Sequence, residues 1–164
     1  MSWGAVLLAV STLVAQPNAG SVDVPAGERV MLQVKGEGFQ IYTCTSTPPG
    51  QKWTLKAPDA RLIDASGRVV GRHFAGPTWE LADGSEVQGE LIASVPSPDP
   101  GSAAWLLLRV KPGSGSGGLA TTQFIRRTET HGGAAGSSGC ESNADVGKTE
   151  RIPYTATYTF YAPE

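Results

Sequence analysis

Nothing in this 164-residue sequence tips its charge far from balance: thirteen basic residues stand against fifteen acidic ones, a formal net charge of -2. Scattered charge of that kind carries no electrostatic footprint for nucleic acid or an anionic membrane surface. Histidine is scarce, with only His73 and His131, and neither sits in an HExxH spacing. A zinc site needs three or four converging ligands, so no metal and no cofactor are expected. The two cysteines, Cys44 and Cys140, form no CxxC and have no histidine pair nearby. There is no G-x-S-x-G for a nucleophile elbow and no dinucleotide fingerprint, and "KPGSGSGG" lacks the Lys-Ser or Lys-Thr that a phosphate loop requires. The longest apolar run, Trp3 to Ala15, falls short of the roughly 20 residues that span a bilayer.

What is present is turn chemistry and alternation. Twenty-one glycines and twelve prolines punctuate short apolar-polar stretches, and no segment beyond the N-terminus carries a helical period. The run Trp3 to Ala15 followed by "QPNAG" reads as the core and cleavage region of a secretory signal, which places the mature protein outside the cell, in the periplasm or at the cell surface. Residues 1–20 are therefore expected to be a signal segment and residues 21–164 one all-β domain without a membrane span. In "VDVPAGERVMLQVKGEGFQIYTCTS" the alternation predicts two strands and a turn at Gly36 to Gly38. Pro58 is expected to break the next stretch, and "AAWLLLRV" reads as a strand buried on both faces. Eight to ten strands at this spacing point to a β-sandwich, with a closed barrel as second choice. The long segment from His131 to Arg151 is a loop; a single disulfide is the simplest use of Cys44 and Cys140, two separate buried thiols being the alternative.

The densest chemistry lies in "GRHFAGPTWELADGSEVQG", residues 71–89. His73 is expected either to orient the Gly76-Pro77 turn or to touch a ligand. Trp79, between Thr78 and Glu80, is the aromatic most readily placed at the surface, where it would stack on a sugar ring or fill a partner's pocket. Asp83 suits the first position of an Asp-Gly turn. Arg126 and Arg127, beside the loop carrying His131, either pair with an acidic ligand or divide between solvent and a structural salt bridge. The candidate ligand site is thus His73, Trp79, Glu80, Asp83, Arg127 and His131.

Taken in order, "GFQIYTC", "KAPDARLIDASGRVVGRHFAGPTWELADGSEVQG", "AAWLLLRV", "FIRRTETHGG", Cys140 and "IPYTATYTFY" resemble the secreted family catalogued as domain of unknown function 3455, over residues 25 to 161. The resemblance implies export, an all-β domain and a bond between Cys44 and Cys140; it implies no activity. The functional expectation is a non-catalytic binding module for extracellular or cell-wall carbohydrate or protein. Two alternatives stand beside it: a secreted enzyme using His73 or His131 with a carboxylate, and a structural coat or matrix component.

Overall fold

A computed structural model describes residues 20–164. The expected signal segment, apart from Gly20, lies outside the described residues. Eight strands follow one another: β1 (Glu28–Thr47), β2 (Gly50–Ile63), β3 (Val69–Phe74), β4 (Thr78–Leu81), β5 (Glu86–Val95), β6 (Trp105–Val110), β7 (Phe124–Gly132) and β8 (Thr149–Pro163). Each pairs antiparallel with the next. β8 also pairs with β1, from Glu28 opposite Pro163 to Thr43 opposite Thr149, so the single sheet closes on itself.

The all-β domain and its disulfide are as expected, but the eight strands make one continuous closed ladder, the barrel that ranked second to a sandwich. Alternating strands and short turns describe one wall over a core, a pattern that both architectures share. What separates them is β1. Its 20 residues run straight through Gly36 to Gly38, where a turn was expected, and that length lets it pair with β2 on one side and β8 on the other. Gly36 is there for close approach: a Cβ on it would lie 2.4 Å from the Tyr158 ring, so the glycine admits that ring against the wall. Pro58 likewise sits inside β2 instead of ending it. It faces Gln40 of β1, while pairing with β3 stops at Ala60, so the missing N–H costs no ladder bond on the β3 side.

The barrel has two unlike ends. At the lower end lie the turn at Asp64 to Gly67, the Asp83-Gly84 turn, the 111–123 connection and the end of β8. Here a 3-10 turn, Gly117–Leu119, folds inward, held by Ser85, whose Oγ accepts from the Gly118 N–H at 2.7 Å. Leu119 caps a core of Val34, Leu62, Val87, Ile125 and Phe160. At the upper end the 133–148 loop bends back over β1 and β2. The disulfide ties Cys140 to Cys44, with their Cα atoms 5.5 Å apart, and the Trp53 indole donates to the Ser138 carbonyl at 2.9 Å. The long loop is thereby docked.

The wall is uneven in height. β3 and β4 are 6 and 4 residues long, so β2 above Ala60 and β5 above Gln88 have no partner on that side. The short β3–β4 hairpin leaves a notch between them. Leu55 and Leu91, 48% and 55% exposed, stand on its two flanks.

Candidate functional site

Along β1 the inward positions run Val34, Gly36, Gly38, Gln40; along β7 they include Ile125 and Arg127; along β8, Tyr154, Ala156, Tyr158 and Phe160. This parity carries three polar side chains into the upper half of the barrel. Gln40 is 1% exposed, His73 3% and Arg127 8%. With Trp79 and Tyr158 they line a cavity of about 280 Å³, whose apolar walls are Leu55, Ala57, Pro58, Leu106 and Leu108 and which reaches the notch at Gly76 and Pro77.

The polar groups around this cavity are incompletely paired. Both amide atoms of Gln40 are buried without a hydrogen-bond partner, as is the indole nitrogen of Trp79. Buried amides nearly always find partners, and an unpaired one costs about 1 to 3 kcal/mol. Arg127 donates from Nε and Nη2 to one acceptor, the Ala104 carbonyl, at 3.0 and 2.8 Å. No carboxylate among the described residues pairs with it. A buried cation without a counter-charge is expensive in a medium of low polarity.

His73 stacks on Trp79 with ring centroids 4.2 Å apart and meets the Tyr158 ring edge-on at 5.0 Å. Its Nδ1 lies 2.8 Å from the Thr78 carbonyl, just past the Gly76-Pro77 turn. Burial drives its pKa down to about 3, with the Arg127 charge acting in the same direction, so the imidazole is neutral at ordinary pH. A neutral ring facing that carbonyl carries its proton on Nδ1, which leaves Nε2 as an acceptor. The Tyr154 and Tyr158 hydroxyls are 2.9 Å apart, and burial pushes both pKa values up, so both stay protonated.

Above the cavity the chain crosses at Gly133, whose carbonyl accepts from the Tyr42 hydroxyl at 2.6 Å. Gly133 has a φ of +86°, and a Cβ would fall 2.7 Å from the Cβ of Tyr154. Only glycine lets the chain pass so close over Tyr154 and Gln40.

The six residues nominated from sequence divide in two. His73, Trp79 and Arg127 meet inside the barrel. Trp79 is not at the surface: it is 1% exposed, because in the β4 alternation it shares the inner face with Leu81. Glu80 points outward and pairs with Arg72 directly across the hairpin. Asp83 accepts from the Ser85 N–H at 2.9 Å, the turn role anticipated for it, and that bond lowers its pKa. His131 is exposed and lies 3.0 Å from Asp99, apart from the cavity that holds His73. Asp99 also accepts from Ser102 at 2.7 Å, so the serine is bonded to the carboxylate and not to the imidazole, unlike a nucleophile and its base. Arg126 faces outward with Asp23 at 4.0 Å, so the adjacent arginines split between surface and interior. Gln40, Tyr154 and Tyr158 were missed. Their signal was a polar atom at an inward position, visible only once β1 is read as one strand.

Among the described residues no group of three or more His, Cys, Asp or Glu side chains is placed to hold a metal ion, and no helix is long and apolar enough to cross a membrane. The family model described as "Protein of unknown function (DUF3455)" matches residues 25–162. No curated protein and no solved structure matches the chain.

Proposed function

We propose, for a chain that belongs to the DUF3455 family, that it is an extracellular binding module whose ligand is a small organic molecule held inside the upper half of the barrel. The observation that carries this reading is the cavity of about 280 Å³ lined by Gln40, whose buried amide has no partner, and Arg127, whose buried charge has no carboxylate. Apolar walls with a few converging polar groups are the general make-up of ligand pockets, and this one is at their small end. The volume suits a ligand of molecular size; a polymer chain would not enter. Trp79 lies within the barrel, so stacking of a sugar on an exposed hairpin aromatic has no support, and the outer face of β3 and β4 offers Arg72, Phe74 and Glu80 instead. The disulfide between Cys44 and Cys140 favours an oxidising compartment, in keeping with the expected export.

Thermal melts of the oxidised protein with five- to eight-carbon alcohols and acids test this reading. A ligand that binds only the folded state raises Tm in a concentration-dependent way. Ala57→Phe, which fills the cavity from its β2 wall, is expected to keep a cooperative melt and lose the ligand-dependent rise. An equal rise in that variant would move the site elsewhere on the barrel.

A further inference from the structure

Arg127 is the one cation buried in the barrel interior among the described residues, and its Nε and Nη2 already share the Ala104 carbonyl. The Nη1 side of the guanidinium makes no hydrogen bond to a carboxylate or carbonyl among them. Gln40, 1% exposed with an unpartnered amide N–H, lines the same cavity. One positive charge and one neutral donor, with a protonated tyrosine pair alongside, can neutralise a single negative charge. A dianion would leave an uncompensated charge in a dry site. The remaining walls, Leu55, Ala57, Pro58, Leu106 and Leu108, give no hydrogen bonds from their side chains, so a polyhydroxylated ligand would be stripped of water there without replacement. Apolar surface continues from Leu106 to Leu55 and Leu91 at the notch, which sets the direction in which a tail would leave.

We infer that the cavity takes a short-chain monocarboxylic acid, its carboxylate between Arg127 and Gln40 and its hydrocarbon tail running along Leu106 toward the notch between Leu55 and Leu91. This rests on the pocket reading above and specifies its ligand. Guanidinium-carboxylate hydrogen bonds are the strong, charge-assisted kind, and the planar head matches the fork geometry.

Calorimetric titration of the oxidised full chain at pH 7.5 and low salt, with hexanoate, hexan-1-ol and inorganic phosphate, tests it. Hexanoate is expected to bind at least about tenfold more tightly than hexan-1-ol, the scale of one hydrogen bond to a charged group. Phosphate should bind more weakly than hexanoate. Arg127→Met should bring hexanoate to the affinity of hexan-1-ol and leave the alcohol within about twofold of its original value. Gln40→Leu, which keeps the charge, should weaken hexanoate several-fold, so the argument survives if the arginine variant folds poorly. Equal affinities for hexanoate and hexan-1-ol would overturn acid recognition while leaving the pocket reading intact. Tightest binding by phosphate would overturn it in favour of an inorganic anion. Failure of all three probes to bind would overturn both readings.

Discussion

In the lower half of the barrel Phe160, Leu62, Val87 and Ile125 are fully buried and Leu119 is 1% exposed, while in the upper half the same strands turn Gln40, His73 and Arg127 toward the axis. Trp79 touches both halves: its ring meets Phe160 at 6.1 Å and stacks on His73 at 4.2 Å. The lower half follows the general rule for interiors, close packing of apolar side chains. The upper half breaks it with an unpaired amide and an unpaired cation. Such violations are tolerated where they serve a site, provided stability comes from elsewhere. The difference teaches that the two tasks are divided along the barrel axis, with folding free energy gathered below and recognition chemistry above.

Substitutions in the two halves should therefore have different signatures. The largest loss is expected from Phe160→Ala in the lower core, at about 3 to 5 kcal/mol, measured by denaturant unfolding; a loss below about 1 kcal/mol would mean that the lower half is not where stability resides. Next is the pH dependence carried by His73. Its native pKa lies below the ordinary value of 6.5, so the unfolded chain binds more protons, and stability falls as pH drops from about 6.5 toward 3. The effect is on the order of a few kcal/mol at about 1.4 per pKa unit. Asp64 and Asp145, held low chiefly by the Ser66 hydroxyl and the Lys148 ammonium respectively, act in the same direction only near and below pH 4. Melts of His73→Phe between pH 4.5 and 7 should thus be flatter than those of the parent, and identical slopes would place the titration elsewhere. Smallest is Arg127→Met, where removing an uncompensated buried charge should leave stability unchanged or raise it by about 1 to 4 kcal/mol. A marked loss would show that the arginine holds the Ala104 loop and serves the fold.

Much of this was legible beforehand, and what was not has a specific cause. Alternation identified β3 to β6 closely and placed both faces of "AAWLLLRV" in contact with protein, as Leu107 and Leu108 are. It failed at β1 because glycine signals a turn and a close contact with the same letter; the Tyr158 ring against Gly36 comes from a strand more than a hundred residues away. The site was half visible for a similar reason. Arg126 and Arg127, like Trp79 and Glu80, are adjacent, and in a strand one residue of register decides which of the two faces inward. Sequence nominates both members of such a pair; only the closed ladder assigns them.

The notch has a consequence for how this protein meets other chains. A closed ladder removes the free backbone edges along which a foreign strand could add, yet the short β3–β4 hairpin reopens two of them, on β2 above Ala60 and on β5 above Gln88. On β2 that stretch carries Pro58, which offers no N–H, and a register break that leaves Lys56 without a β1 partner. On β5 a second break falls between Leu91 and Ala93, and Pro96 follows one residue after the strand ends. Proline, a bulge and a lysine are the means by which exposed edges are kept from pairing. The barrel can hold its mouth open to a small molecule while remaining closed to a second β-strand.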